Sequence, residues 1–376
     1  GYLLNVKTGE TQVILNATGA SASSSTGWLT ASTTVDTAGT YAFVFVSGSW
    51  DATGGQALGA TLTLDNIATT SLLNGKTLEG SSLSFLQGLN AADNKLTLKA
   101  DDISFGGTVS GTGQIGFEAL NPSHDIQVGG GAGTPGDGVL NVSSATLASL
   151  ADGFSSINIG GAAMQGNITV VTDTRLQDSV ALDAGTGHIR LDAVLGSTDM
   201  VTLQTDGGTV TQASNAALEA GTLALVGHGG QFTLGHAGNT VGTLVAATQD
   251  VHMVNSGALT IGSATLADGT VLNGVDNTGL VNVSTVAGDL ALDKSVTTSS
   301  TASNAIVLNA GASQSAGQAA GGNVTVGSGA TVSTGAGGRA VIYTGSVAGS
   351  TGVTNTVGSG SGAFRYNSDE STSNFT

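Results

Sequence analysis

Apolar and polar residues alternate along the chain in short runs rather than in helical periods. Two such runs lie near the N-terminus, in segments 39–48 and 60–65, and each places its apolar side chains on one face. Those side chains belong to Tyr41, Phe43, Phe45, Leu62 and Leu64. Alternation with a period of two, bounded by Gly and Ser, is typical of half-buried antiparallel strands. Residues 1–68 are therefore predicted to form a small β-sandwich, or an incomplete β segment that is only marginally stable alone.

From residue 96 the pattern becomes a repeat, which follows a predicted connecting segment over residues 69–95. Short apolar strands recur about every 8 to 12 residues, and Gly, Asp or Asn follows each strand within a few residues. Examples are Ile157–Ile159, Ile168–Val170, Val180–Leu182, Ile189–Leu191 and Val201–Leu203. The repeat is predicted to continue to residue 357, with a longer connection near residues 263–279. Residues 358–376 are predicted to form a flexible polar tail.

Short, evenly spaced strands fit two architectures, an antiparallel sandwich or barrel and a parallel β-solenoid. An antiparallel sheet with one wet face would carry Lys, Glu and Arg at alternate positions, but Lys294 is the only Lys or Arg between Leu191 and Gly338. A solenoid fills a narrow core with stacked aliphatic residues and tolerates Gly, Asn and Ser at its corners. The sequence therefore predicts a parallel β-solenoid (β-helix) over residues 96–357. Coils of roughly 20 to 30 residues would give about 10 to 13 coils and a length of about 50 to 60 Å.

Composition and charge exclude several classes of protein. Of 376 residues, 60 are Gly and only 9% are charged, which is too few charges for the solvent faces of a helix-rich fold. The formal net charge of -17 repels phosphate groups, and no apolar run is long enough to cross a bilayer. The sequence therefore predicts no nucleic-acid binding and no membrane insertion.

The cellular compartment is predicted from the cysteine count. The chain contains no Cys, which removes disulfides and thiolate chemistry. A Cys-free, acidic composition with few Lys residues is common in large secreted bacterial proteins, so an extracellular or bacterial cell-surface location is predicted. The sequence starts at Gly1 without a leader. Any export signal is therefore expected to lie outside it, and the chain is expected to be a segment of a longer protein.

Several segments of the repeat resemble the coils of giant bacterial surface proteins of the filamentous haemagglutinin, or large-adhesin, type. The similar segments are Leu150–Gly160, Gly208–Gln212, Gly221–Val226 with Gly242–Leu244, and Asn255–Gly262. The resemblance spans roughly residues 139–367. It implies a right-handed parallel β-helix that is exported to the cell surface and serves as an adhesin, a stalk or a matrix component.

The charged residues between positions 173 and 199 are the strongest candidates for catalysis, because hydrolases and lyases on β-helices gather carboxylates with Arg or Lys on one outer face. They are Asp173, Arg175, Asp178, Asp183, Arg190, Asp192 and Asp199. Most lie at predicted strand ends, where Asp is favoured because its side chain satisfies turn amides. The structural role is preferred, so the chain is predicted not to be an enzyme. A β-helical carbohydrate-active enzyme or tailspike-like depolymerase is the alternative.

Motifs for cofactors and metals are weak. The segment 111–116 spells G-x-G-x-x-G, but Pro122 follows too soon for the helix that a pyrophosphate site requires. The Gly-rich segment 129–138 is interpreted as a corner, with adventitious calcium at Asp137 as the alternative. The histidines lack the close spacing of zinc ligands; they are His124, His188, His228, His236 and His252. No cofactor and no metal site is predicted.

Four asparagines begin apolar strand runs, and each stands in a tripeptide that matches the N-glycosylation motif. They are Asn141, Asn167, Asn282 and Asn323. We interpret them as the first residues of coils, where their amides are expected to stack into side-chain ladders.

The function predicted from these features is that of a structural and adhesive extracellular protein, an acidic β-solenoid that serves as an adhesin stalk or as part of a surface matrix or filament. Its expected partners are a glycan or protein on a host or neighbouring cell and, through end-to-end association, other copies of the chain. A third hypothesis is a carbohydrate-binding module on a solenoid stalk, in which Trp28, Tyr41 and Trp50 stack on sugars; the alternative is that these aromatics fill a sandwich core.

Overall fold

The computed structural model describes residues 1–16, 29–31, 33, 40–46, 63–64, 75–133, 136–346, 348–357 and 368–371. The chain divides into two compact units. The first consists of Gly1–Asn121 and Gly131–Phe154, and the second of Pro122–Gly130 and Ser155–Thr376. No helix in the described ranges has the length and apolar character needed to cross a membrane.

The described chain is almost entirely β-structure. In chain order the elements are β1 Tyr2–Asn5, β2 Thr11–Val13, β3 Tyr41–Val44, β4 Thr63–Leu64, β5 Lys76–Glu79, β6 Ser82–Phe85, β7 Leu89–Asn90, β8 Leu96–Lys99, β9 Asp102–Phe105, β10 Val109–Ser110, β11 Gln114–Glu118, β12 Asp125–Val128, β13 Val139–Val142, α1 Ser144–Ala148, β14 Ser156–Gly160, β15 Ile168–Val170, β16 Thr174–Leu176, β17 Val180–Asp183, β18 Ile189–Leu191, β19 Leu195–Gln204, β20 Thr209–Gln212, β21 Leu218–Leu234, β22 Thr240–Asn255, β23 Leu259–Ile261, β24 Ser263–Thr265, β25 Val271–Asn273, β26 Val275–Asn277, β27 Val281–Thr285, β28 Leu290–Leu292, β29 Val296–Thr298, β30 Ile306–Ala310, β31 Val324–Val326, β32 Val332–Ser333, β33 Ala340–Tyr343 and α2 Val353–Val357.

The first unit combines an antiparallel sheet with parallel coils. Strands β2, β1 and β3 form the antiparallel sheet, in that order, and the rings of Phe43 and Phe45 stack with their centroids 6.3 Å apart. The parallel coils stack Leu78 on Leu98 and Leu98 on Phe117. All three of these side chains are buried, so this part of the first unit has the aliphatic and aromatic core of a β-helix.

The second unit is a parallel β-helix with two long ladders. In the first ladder, β12, β15, β18, β20, β21, β22, β27, β30 and β33 pair in register. The inward residues of this ladder form one stack, Ile126, Ile168, Ile189, Val210, Phe232, Val251, Val281, Ile306 and Ala340. A coil takes 21 residues between Asn167 and His188 and 34 residues between Asp289 and Asn323. The predicted parallel β-helix is thereby confirmed.

A second stack lies in the ladder of β14, β17, β19, β21, β22, β26, β29 and β32. It consists of Ile159, Leu182, Leu203, Leu225, Ala246, Val275, Val296 and Val332. Apart from the last residue of each stack, the side chains of both stacks are buried. Because side chains alternate between the two faces of a strand, the residues between the stacked ones point outward, and the apolar alternation of the sequence becomes a continuous core.

Beside the first ladder, polar side chains accept hydrogen bonds from backbone amides of the following coil. The backbone N–H of Asn167 donates to Asp125 Oδ1 at 2.7 Å, that of His188 to Asn167 Oδ1 at 3.1 Å, and that of Thr209 to His188 Nδ1 at 2.9 Å. The predicted stacking of sequon amides is wrong at this position, because the coil partners of Asn167 are an aspartate and a histidine. Mixed acceptors satisfy the amides of the following coil instead.

At two of the corners, buried asparagine side chains form hydrogen bonds with the backbone. Asn239 is fully buried and accepts the Leu218 N–H at 2.8 Å, while its Nδ2 donates to the carbonyls of Leu234 and Val254, each at 3.0 Å. One coil later Asn255 accepts the Val241 N–H at 2.8 Å and returns a 3.0 Å bond to the Val241 carbonyl. Each amide therefore supplies hydrogen bonds that the turning backbone cannot make to itself.

A hairpin projects from the second unit within the longer connection that the sequence indicated near residues 263–279. Strands β24 and β25 pair antiparallel around a turn in which Gly269 has a φ of 89° and Asp268 Oδ1 accepts the Thr270 N–H at 2.8 Å. Leu266 of the hairpin packs on the outward side chains of Ala224 and Val245. The hairpin thereby covers an apolar patch on the outside of the coil.

The structure differs from the sequence predictions at several elements. Strand β4 pairs in parallel with β6, whereas an antiparallel strand was predicted there. Parallel pairing also includes β5, β6 and β7, which lie within the predicted connecting segment 69–95. Residues Val353–Val357 were predicted to be a strand but form the short helix α2. In the predicted tail, the described residues 368–371 contact the coil, since Asn309 Nδ2 donates to Glu370 Oε1 at 2.6 Å; the remainder of 358–376 lies outside the described residues.

Candidate functional site

The aromatic residues proposed to contact sugars are only partly described. Trp28 and Trp50 lie outside the described residues. Tyr41 begins β3, is half-buried, and its backbone carbonyl accepts a hydrogen bond from Lys76 Nζ at 2.9 Å. The proposed aromatic sugar contact therefore stays a prediction.

Two of the five carboxylates between residues 173 and 199 accept hydrogen bonds from backbone amides at corners. Asp173 Oδ1 accepts the Val194 N–H at 3.1 Å, and Asp183 Oδ1 accepts the Gly185 N–H at 2.9 Å. Asp192 pairs with Arg190 at 2.5 Å. The predicted role of Asp in satisfying turn amides is confirmed at Asp173 and Asp183.

Arg175 forms an ion pair that spans two coils. Its Nε and Nη2 donate to the two carboxylate oxygens of Glu219 at 2.7 and 2.9 Å. The residue in register between them is Gly196, where a Cβ would lie 3.2 Å from Arg175 Cγ and 3.3 Å from Glu219 Oε2. Hydrogen bonds from Arg175 lower the pKa of Glu219 below its ordinary value. The bridge therefore stabilises the folded state while Glu219 is ionised.

Replacing Glu219 by Gln should lower the melting temperature modestly at about pH 7, and the loss should shrink as the pH falls below the ordinary carboxyl pKa. Because the pKa of Glu219 is lower in the folded chain, its ionised carboxylate stabilises the fold at any pH above the ordinary carboxyl pKa. This stabilisation is lost as the pH falls through the folded-state pKa. Because the pair is largely exposed, the cost should be about 1 kcal/mol or less. The control is Glu219→Gln in an Arg175→Gln background, where the substitution should have no further effect. An equal loss in both backgrounds would contradict the bridge.

A second charged row crosses the first unit, where Glu79, Lys99 and Glu118 lie in register on successive coils. Lys99 Nζ lies 3.5 Å from Glu79 Oε2. Burial raises the pKa of Glu118 and outweighs the opposing influence of Lys99 and Lys95. Ionised Glu118 is thus a source of instability in the folded chain.

Replacing Glu118 by Gln should therefore raise the melting temperature at about pH 7 and leave it unchanged at about pH 3. Below its ordinary pKa, Glu118 is protonated in the folded and unfolded chains and costs no stability. As the pH rises through the raised folded-state pKa, the buried side chain destabilises the fold. Gln stays neutral throughout and escapes that cost. Thermal melts of both proteins across this pH range test the idea, and a less stable variant at neutral pH would contradict it.

An open cleft of about 500 Å³ lies on the surface of the second unit. The hairpin formed by β24 and β25 provides one wall through Ser263 and Thr265, and β19 provides the opposite wall through Asp199 and Met200. The cleft is shallow and widely open to solvent. We name it the hairpin cleft.

The sequence identified part of this cleft. Asp199 belongs to the carboxylates singled out between residues 173 and 199, but nothing in the local pattern joins it to Ser263 or Thr265. The Asp268–Gly269 pair between apolar residues is a hairpin signal that would have predicted the turn. It would not have predicted which coil the hairpin covers.

Within the described ranges, no group of three or more His, Asp or Glu side chains is arranged to hold a metal ion.

Comparisons of the chain with protein-family models, with curated proteins and with solved structures found no match. The resemblance to filamentous haemagglutinin-type proteins therefore stays a prediction from the sequence.

Proposed function

We propose that this protein is a structural and adhesive component of the bacterial cell surface or extracellular matrix. The observation that carries the proposal is the unbroken register of the first ladder from β12 to β33. Eight steps at about 4.8 Å give this ladder a length of about 40 Å. A backbone paired at every coil around a packed aliphatic core suits a load-bearing support that presents side chains at fixed intervals.

The outward residues of the first ladder support an adhesive role. They are Gln127, Thr169, Arg190, Thr211, Thr233, His252, Asn282, Val307 and Val341. Most are polar and uncharged in a chain whose net charge is -17. Such a face offers hydrogen bonds without strong repulsion, which suits a glycan or protein partner on a host or neighbouring cell.

A cell-adhesion assay tests this proposal. Fluorescent beads coated with the purified chain are applied to bacterial and epithelial cell layers, washed and counted. Beads coated with serum albumin serve as the control. Retention several times above the control on at least one surface supports the proposal, and equal retention on every surface overturns it.

A glycan-hydrolysis screen separates adhesion from the alternative of a β-helical depolymerase. The proposal predicts no turnover of acidic polysaccharides by the purified chain. Turnover that is lost in Asp183→Asn or Asp192→Asn would favour the enzyme instead, because these carboxylates belong to the predicted catalytic group.

A further inference from the structure

The wall of the hairpin cleft that carries Asp199 is a β-bulge. The register between β19 and β21 shifts between Ser197 and Met200, so Thr198 and Asp199 stand out from the ladder and are exposed. A bulge redirects a side chain that would otherwise follow the alternation of its strand, and bulges are frequent beside binding and active sites.

Hydrogen bonds to the preceding coil fix this bulge. Ser197 Oγ donates to the Asp178 carbonyl at 2.8 Å, Thr198 Oγ1 donates to the Gln177 carbonyl at 2.8 Å, and the Asp199 N–H donates to Ser197 Oγ at 3.1 Å. Gly221 of the following coil lies so close that a Cβ would approach the Thr198 and Asp199 carbonyls to 2.7 Å. The backbone of the bulge is therefore held in place, and Asp199 lines the cleft.

The opposite wall comes from a later coil. The outward row Met200, Thr222, Thr243 and Thr260 runs in register toward the start of the hairpin. The hairpin then folds back over this face and packs on Ala224 and Val245. It brings Ser263 and Thr265 to the same cleft as Asp199 and Thr222, so residues distant in sequence meet on one side of the coil.

The lining combines a carboxylate with hydroxyl and apolar side chains, from Asp199, Thr222, Ser263, Thr265, Met200 and Ala264. The hydroxyl of Thr198 is engaged by the Gln177 carbonyl. A carboxylate accepts hydrogen bonds from two adjacent hydroxyls, and Thr and Ser hydroxyls both donate and accept. Vicinal hydroxyls above an apolar C–H face are the features of a sugar ring, and such a ring complements both parts of this lining.

We propose that the hairpin cleft binds one uncharged sugar residue of a surface glycan, with Asp199 accepting from two ring hydroxyls and Met200 contacting the apolar ring face. This inference rests on the proposed adhesive function and names the ligand class of one site within it. An anionic sugar would be repelled by Asp199 and by the net charge of -17. A calcium ion needs six to eight oxygen ligands, for which a single carboxylate among hydroxyls is a poor set.

The test is a titration followed by heteronuclear NMR on the full-length chain. The probes are the methyl glycosides of glucose, galactose, mannose and N-acetylglucosamine, with methyl glucuronide as the anionic probe and calcium chloride as the cation probe. We expect at least one neutral glycoside to shift the amide signals of residues 198–200, 221–222 and 263–265. The anionic probe and calcium should leave those signals in place.

Matched variants assign the contact. Asp199→Asn should weaken binding of the responding glycoside about tenfold, since it replaces a charged acceptor, and Thr222→Val should weaken it by a smaller factor. Asp206→Asn changes an exposed carboxylate outside the cleft, and Thr243→Val changes the next threonine of the same outward row. Both controls should bind like the wild type.

Three results would overturn the inference. They are no response to any neutral glycoside, a response that Asp199→Asn leaves unchanged, and a response at the cleft to calcium alone. None of these results would contradict the proposed adhesive function, because that function predicts that beads coated with Asp199→Asn still adhere through another face of the coil. Loss of bead adhesion by the wild type with intact glycoside binding would instead refute the adhesive function alone.

Discussion

Substituting Asp for Val210 should unfold the second unit, whereas the same substitution at the neighbouring Thr211 should leave it folded. Val210 is fully buried and lies in the aliphatic stack between Ile189 and Phe232. A carboxylate there would lose its hydration and find no partner in a core only a few side chains wide. Such a substitution costs several kcal/mol, a large part of the total of about 5 to 15 kcal/mol that holds an ordinary domain together.

Thr211 is the matched control because it lies one residue further along β20, on the exposed outer face. Thermal unfolding followed by circular dichroism, together with the soluble yield, compares the two variants with the wild type. We expect Val210→Asp to be insoluble or to lack a cooperative transition, and Thr211→Asp to melt within a few degrees of the wild type. Similar melting of the two variants would show that Val210 does not face a core.

Replacing Asn239 by Leu should strongly destabilise the second unit. Leu has a similar size but cannot bond to the Leu218 N–H or to the Leu234 and Val254 carbonyls, which Asn239 now satisfies. Each buried polar group left without a partner costs about 1 to 3 kcal/mol, so three such groups give an expected total loss of about 3 to 9 kcal/mol.

Asn215→Leu is the control for this prediction, because Asn215 is exposed and makes a single long hydrogen bond, 3.4 Å to the Asp192 carbonyl. Urea denaturation should move the midpoint of Asn239→Leu far below that of the wild type and leave that of Asn215→Leu close to it. Hydrogen exchange should also accelerate at Leu218, whose amide loses its acceptor. Equal midpoints for the two variants would mean that the amide of Asn239 is dispensable.

The parallel β-helix was predictable because inward positions carry a local signal. Ile168 and Val170 alternate with a polar residue between Gly- and Asn-rich corners, and both are buried as that pattern predicts. The scarcity of Lys and Arg between residues 191 and 338, where Lys294 is the only one, then favours parallel stacking. These features depend on each residue and its nearest neighbours in sequence, so the sequence alone contains them.

Features that depend on contacts between coils were not predictable. The pairing of β5 with β8 was missed, because the apolar runs of the first coils are as short as those of a loop. The corner role of Asn239 involves partners at both ends of β21 and near the end of β22, and no local pattern distinguishes it from an exposed asparagine. The helix α2 was missed because the four-residue spacing of Val353 and Val357 fits one face of a strand as well as one face of a helical turn.

The same limit applies to the candidate site. Asp199 could be singled out from its neighbouring carboxylates, and a hairpin could be expected from Asp268 and Gly269. The hairpin cleft itself requires a bulge at Thr198–Asp199 and a hairpin that folds back over earlier coils. Both are set by packing between coils rather than by the local sequence.

The central claim is that successive coils of the second unit stack in register with one strand spacing per coil, and pulsed electron-spin resonance tests it most directly. The chain has no Cys, so pairs of spin labels can be placed by introducing two cysteines. Thr169 is paired in turn with His252, Asn282 and Val307, which lie four, five and six coils away on the same outward row. We expect separations of about 19, 24 and 29 Å, with the constant step of about 4.8 Å that parallel stacking imposes. Separations that fail to increase with the coil number would contradict the parallel β-helix and the functional proposals that depend on it.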